Sequence, residues 1–193
     1  LYVRVGGSFE DQQDMFADLI LLLAMIIILV YIVMASQFES FMSPFVIMFS
    51  IPFAFVGVLM GLYVTGTPLG AMGMIGILIL MGIVVKNGIV LIDYTILMRE
   101  RGHSVTEAST IAANSRLRPI LMTTLTTVLG MIPMAVGQGE GSEMWRSLGM
   151  VVAWGLSIST LVTLVIIPTL YAAMASWQER RAARKAARKA AKA

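Results

Sequence analysis

Five stretches of this chain are apolar for long enough to cross a bilayer, and the polar residues are crowded into the links between them. The first, 19–35, has seventeen consecutive uncharged residues, about 26 Å of helix, and Phe16 and Ala17 can lengthen it. The boundaries expected from this pattern are about 16–36, 43–64, 69–94, 118–137 and 147–176. Ser43 and Pro44 read as the N-cap and first helical position of the second span. Thr65 to Pro68 reads as a turn, and Pro119 as the start of the fourth span. Between the third and fourth spans, Ser104 and Glu107 form a capping box ahead of Val105, Ala108 and Ile111, which predicts a short amphipathic surface helix at 104–113. The fold class expected is therefore all-α: a polytopic membrane helix bundle of five transmembrane helices plus that short cytoplasmic surface helix.

Composition agrees with the pattern. Hydrophobic residues are 58% of the 193 and charged residues 13%, against about a quarter charged in a soluble domain. The net charge of +3 is set by the end of the chain, where seven Lys and Arg lie between 180 and 192. Segment 177–193 is thus a basic tail, fit to lie on anionic lipid or to stay unstructured, with nucleic-acid binding the weaker alternative. Arg99, Arg101, Arg116 and Arg118 border the link between spans three and four, so the positive-inside rule places that link and the tail in the cytoplasm. Residues 1–15, acidic and polar, and the GQGEGSE loop fall on the outer side. The odd span count predicts an outer domain ahead of Leu1, of which 1–15 is the end or linker. Trp177 and Tyr171 suit an interfacial belt.

The candidate chemistry begins with Lys86, an ammonium inside an apolar span. Such a charge costs about 2.5–3.5 kcal/mol to insert and needs a named partner. Its long stem could snorkel towards the cytoplasmic interface or towards Asp93, two turns away on nearly the same face. The alternative is a site: Asn87 adjoins Lys86, and Gly82 and Gly88 let another helix approach, as do Gly57 and Gly61 in the GxxxG of the second span. On the fourth span Arg116 and Thr123 share a stripe with Gly130, every seventh residue. Arg116 is equally a topogenic charge, and Thr124, Thr126 and Thr127 are expected to bond their own helix carbonyls.

No Asp or Glu falls in the interior of any span, so a counter-ion for Lys86 has to come from helices outside these 193 residues. Nucleotide-binding, zinc-protease and hydrolase motifs are lacking, Cys is absent, and the one His, His103, reads as a solvated loop residue. The sixteen Met are dispersed and read as core filling rather than as metal ligands, so no metal and no cofactor is expected.

GIVVKNGIVLIDY, SRLRPILMTTLTTVLGMIPM, the GQGEGS loop and IIPTLYAAM together resemble the C-terminal membrane half of resistance-nodulation-division efflux permeases, in their hydrophobe and amphiphile (multidrug) branch. The resemblance covers roughly four-fifths of the chain, from QFESF through the fifth span. It implies a proton/drug antiporter, not an enzyme, in the bacterial inner membrane. It also implies a homotrimer that works with a periplasmic adaptor and an outer-membrane channel. In that family the lysine matching Lys86 pairs with two intramembrane aspartates of the N-terminal half, and residues matching Arg116 and Thr123 assist a proton relay; Asn87 belongs to the motif. The same superfamily contains exporters of metal ions and lipids. A non-transporting membrane scaffold, with Lys86 in a structural ion pair, is the reading from another class.

Overall fold

The computed structural model describes residues 7–137, 139 and 141–190, and among these the chain is built of six α-helices. Five helical stretches are long and apolar enough to cross a membrane, so the all-α reading with five spans holds. The first helix, α1 (Gly7–Phe38), takes in the first span and also residues 7–15, expected to lie before it. Glu39, at φ 47°, reverses the chain into α2 (Met42–Met48) and α3 (Ser50–Thr65), which together make the second span.

Pro52 explains the break within this span. It has no N–H for the Met48 carbonyl, and its ring crowds that carbonyl. The backbone tightens one turn earlier, with the Phe49 N–H donating to Val46 O at 3.3 Å. Ser43 is not the cap that was expected. It is buried within the first turn of α2, while the Ser40 hydroxyl accepts from the Met42 N–H at 3.2 Å. Gly66, at φ 62°, closes α3 in the left-handed conformation and donates its N–H to Leu62 O.

Helix α4 (Ala71–Glu100) carries the third span and packs on one side against α3 and the two helices that follow it. The capping box at Ser104 and Glu107 is present and opens α5 (Val105–Val136). The short helix expected at 104–113 is not separate, however: it continues through Pro119 into the fourth span. Pro119 removes one backbone bond, yet in an apolar surrounding no water offers the freed groups a better partner than the helix does. Helix α6 (Ser142–Ala190) starts after the glycine-rich loop and continues past 176 into the basic tail. Of the segments named above, residues 1–6, Gln138, Glu140 and 191–193 lie outside the described residues.

α6 packs against α3, α4 and α5, and α1 lies at the edge. The core gathers Ile47, Val58, Leu80, Leu91, Val151 and Leu156. Outside it, Leu21, Ile28, Leu29 and Ile32 of α1 stay more than half exposed, a contiguous apolar surface that suits lipid rather than water. Small residues allow the closest approach. A Cβ at Gly57 would stand 3.0 Å from Ile158 Cβ and 3.1 Å from the Gly155 backbone, and one at Gly61 would overlap the Trp154 side chain. At the far end of α4, Arg99 donates to the hydroxyl of Tyr171 at 3.4 Å. Trp177 is 52% exposed, whereas Tyr171 is turned into the core.

Candidate functional site

Lys86 and Asn87, adjacent in sequence, point about 100° apart around α4. Asn87 turns inward and is buried, whereas Lys86 stands on the exposed side. Both line a cavity of about 310 Å³ between α4 and α5. Ile83 and Val90 complete its α4 wall; Pro119, Ile120, Thr123, Thr124 and Thr127 form the opposite one. The lining contains no carboxylate, and Lys86 has neither hydrogen bond nor ion pair to any described residue. Asp93, the other partner considered for it, is also exposed.

The two walls differ in how their polar atoms are used. Thr123 donates to its own helix, its hydroxyl shared between Ile120 O at 3.0 Å and Pro119 O at 3.2 Å, so it is already committed within α5. Thr126 and Thr127 donate to Met122 O and Thr123 O, as expected of threonines in an apolar helix. Thr124 departs from that expectation: its hydroxyl meets that of Thr160 on α6 at 3.2 Å, and both residues are buried. Thr160 has no counterpart among the residues singled out from sequence. The signal available was the hydroxyl series Ser157, Ser159, Thr160 and Thr163 in an otherwise apolar span.

Arg116 lies two turns from Thr123 towards the start of α5 and does not reach the cavity lining. Its guanidinium is stacked over the ring of Tyr94, 4.5 Å from the centroid. Its Nε is shut off from solvent and meets no acceptor among the described residues. The structure thus brings Lys86, Asn87 and Thr123 to one cavity and sets Arg116 beside it on the α4–α5 contact. Tyr94 was legible only as the end of a span.

The four glycines divide. Gly57 and Gly61 face α6, and a Cβ at Gly88 would stand 2.8 Å from Ile47 and 3.1 Å from Ile167. Gly82, expected to admit a neighbouring helix, has nothing within 4 Å of its Cβ position, because no described helix packs on that side of α4. Gly82 and Lys86 are both exposed, one turn apart along α4.

Comparison with known proteins gives a consistent picture. The family model described as AcrB/AcrD/AcrF matches residues 1–175. The swarming motility protein SwrC of Bacillus subtilis (strain 168) is 42% identical over 180 residues, which is 93% of this chain and 17% of that protein. The cobalt-zinc-cadmium resistance protein CzcA of Cupriavidus metallidurans is 36% identical over 166 residues, 86% of this chain and 16% of that one. The multidrug resistance protein MdtC of Proteus mirabilis is 38% identical over 187 residues, 92% and 18% respectively. A crystal structure of a heavy metal efflux pump superposes with a TM-score of 0.80 at 34% identity, covering 91% of this chain and 18% of that one. The chain therefore spans less than a fifth of the length of each of these relatives.

Proposed function

The chain belongs to the AcrB/AcrD/AcrF family of resistance-nodulation-division permeases, and on that premise we propose that it supplies one half of the proton-coupling site of an efflux antiporter. The observation that carries this reading is the cavity in which Lys86 and Asn87 of α4 face Thr123 and Thr124 of α5 with no carboxylate among them. A cation in an apolar span needs an opposite charge. The exposed face of α4, with Lys86 and the open Gly82, is where a carboxylate-bearing helix of the N-terminal half would pack.

The mechanism is electrostatic. With the missing carboxylates ionised, Lys86 is held against them. Their protonation removes its counter-ions, and α4 then settles into a second position relative to the partner helix. Asn87 is anchored in the packed interior and would carry that shift into the bundle, Thr123 and Thr124 line the opposite wall, and Arg116 adds positive charge on α5. The proposed setting is the bacterial inner membrane, crossed several times with the tail in the cytoplasm. There a homotrimer would work with a periplasmic adaptor and an outer-membrane channel.

Hydrophobic or amphiphilic compounds are the proposed cargo, a reading supported by the likeness to MdtC, named for multidrug resistance. Metal ions are the second reading, favoured by the similarity to CzcA and to the heavy metal efflux pump. Proton flux in proteoliposomes tests the coupling site. The chain joined to its N-terminal half is expected to move protons when an amphiphile is supplied, and the chain alone is expected to move none. Flux stimulated by divalent metal and not by amphiphiles would select the second reading. Flux from neither would leave a scaffold.

A further inference from the structure

Arg116 and Tyr94 come from different helices and form the cationic–aromatic contact that ties α5 to α4 beside the cavity. We propose that Tyr94 is a positioning residue: its ring face holds the Arg116 guanidinium against α4, so that the two helices carrying the cationic groups of the coupling site move as one body. The inference rests on the coupling-site reading above and adds to it a residue that does not line the cavity.

Three observations carry it. First, the contact is with the ring face and not with the phenol: the guanidinium carbon lies 4.5 Å from the centroid, and the Tyr94 hydroxyl bonds to none of the described residues. Second, Arg116 makes no hydrogen bond or ion pair to any described residue. Its Nε is buried without an acceptor, so the quadrupole of the ring is the partner that compensates its charge at this contact. Third, Arg116 is seven residues before Thr123 on the same stripe of a continuous helix. Holding Arg116 therefore sets the rotation of α5 about its axis, and with it the direction in which Thr123 and Thr124 face Lys86 across the cavity. Arg118, two residues on, is exposed and serves as a comparison cation outside the contact.

The test uses the full-length permease in proteoliposomes, reading proton-coupled export. Tyr94→Leu is expected to lower the initial rate about three- to thirtyfold, the span between an exposed and a desolvated cation–π contact. Tyr94→Phe, which keeps the ring face, is expected to restore most of the rate, and Arg118→Ala to leave it unchanged. Incorporating phenylalanine and its mono-, di- and trifluoro derivatives at position 94 keeps the shape and drains the ring quadrupole stepwise. The rate is expected to fall along that series, a trend that a purely steric role would not produce, and the series still decides if Tyr94→Leu fails to fold. A flat series with Arg116→Ala inactive would overturn the positioning role and leave the coupling site standing. Full activity of Arg116→Ala would likewise overturn the positioning role, while the coupling site stands or falls with Lys86→Ala.

Discussion

The hydroxyls of Thr124 and Thr160 meet at 3.2 Å across the contact of α5 with α6, and both side chains are buried. Interhelical hydrogen bonds of this kind contribute about 0.6 kcal/mol on average and up to about 1.7 in membrane helices, because either hydroxyl can return to its own helix carbonyl. Thr124→Val and Thr160→Val are each expected to destabilise the bundle by about that amount. The double substitution is expected to cost little more than either single one. Reversible unfolding in bicelles measures the cycle; full additivity would mean that the two hydroxyls do not interact.

A second expectation concerns the seam between α3 and α6. A Cβ at Gly61 would occupy the space of the Trp154 side chain, and Gly57 touches the Gly155 backbone one turn away. Gly61→Ala is expected to cost about 1–3 kcal/mol, the usual cost of overpacking a close contact. Combining it with Trp154→Ala should yield a favourable coupling of about 1 kcal/mol, since the second change vacates the space that the first one needs. Thermal unfolding of the four proteins gives the answer.

Gly82 and Gly88 separate two situations that look alike in sequence. Gly88→Leu is expected to destabilise the isolated chain, since Ile47 and Ile167 already occupy the space beside it. Gly82→Leu is expected to be tolerated there, and even to gain up to about 1 kcal/mol of helix propensity. In the complete permease the order of tolerance is expected to change, with Gly82→Leu now lowering thermal stability if, as proposed, a helix of the other half packs against α4. Equal tolerance of Gly82→Leu in both contexts would mean that this face of α4 stays uncovered.

What was legible in the sequence, and what was not, follows from the range over which each feature is decided. The five spans are written locally, as runs of apolar residues long enough for a bilayer, and the capping box at Ser104 and Glu107 is a contact over three residues. Lys86 and Asn87 could be read because a charge in such a run violates the pattern. Boundaries set by proline were harder: Pro44 and Pro119 look like helix starts, yet in α5 the surrounding turns hold the helix through Pro119. Partners far away in sequence could not be read at all. Thr124 is one of four similar threonines, and only its side of α5 brings it to Thr160; Tyr94 is an ordinary end-of-span aromatic until α5 lays Arg116 on it.

The measurement closest to the central claim is paired binding and transport by the complete permease carrying Lys86→Ala, in proteoliposomes with an imposed proton gradient. Amphiphile binding is expected to stay within about twofold of the unaltered protein, because no cargo contact is assigned to Lys86. Proton-driven export is expected to be abolished, because in the proposed mechanism Lys86 is the cation that answers protonation of the partner carboxylates. Undiminished export by the Lys86→Ala protein would contradict the assignment of this cavity as half of a proton-coupling site.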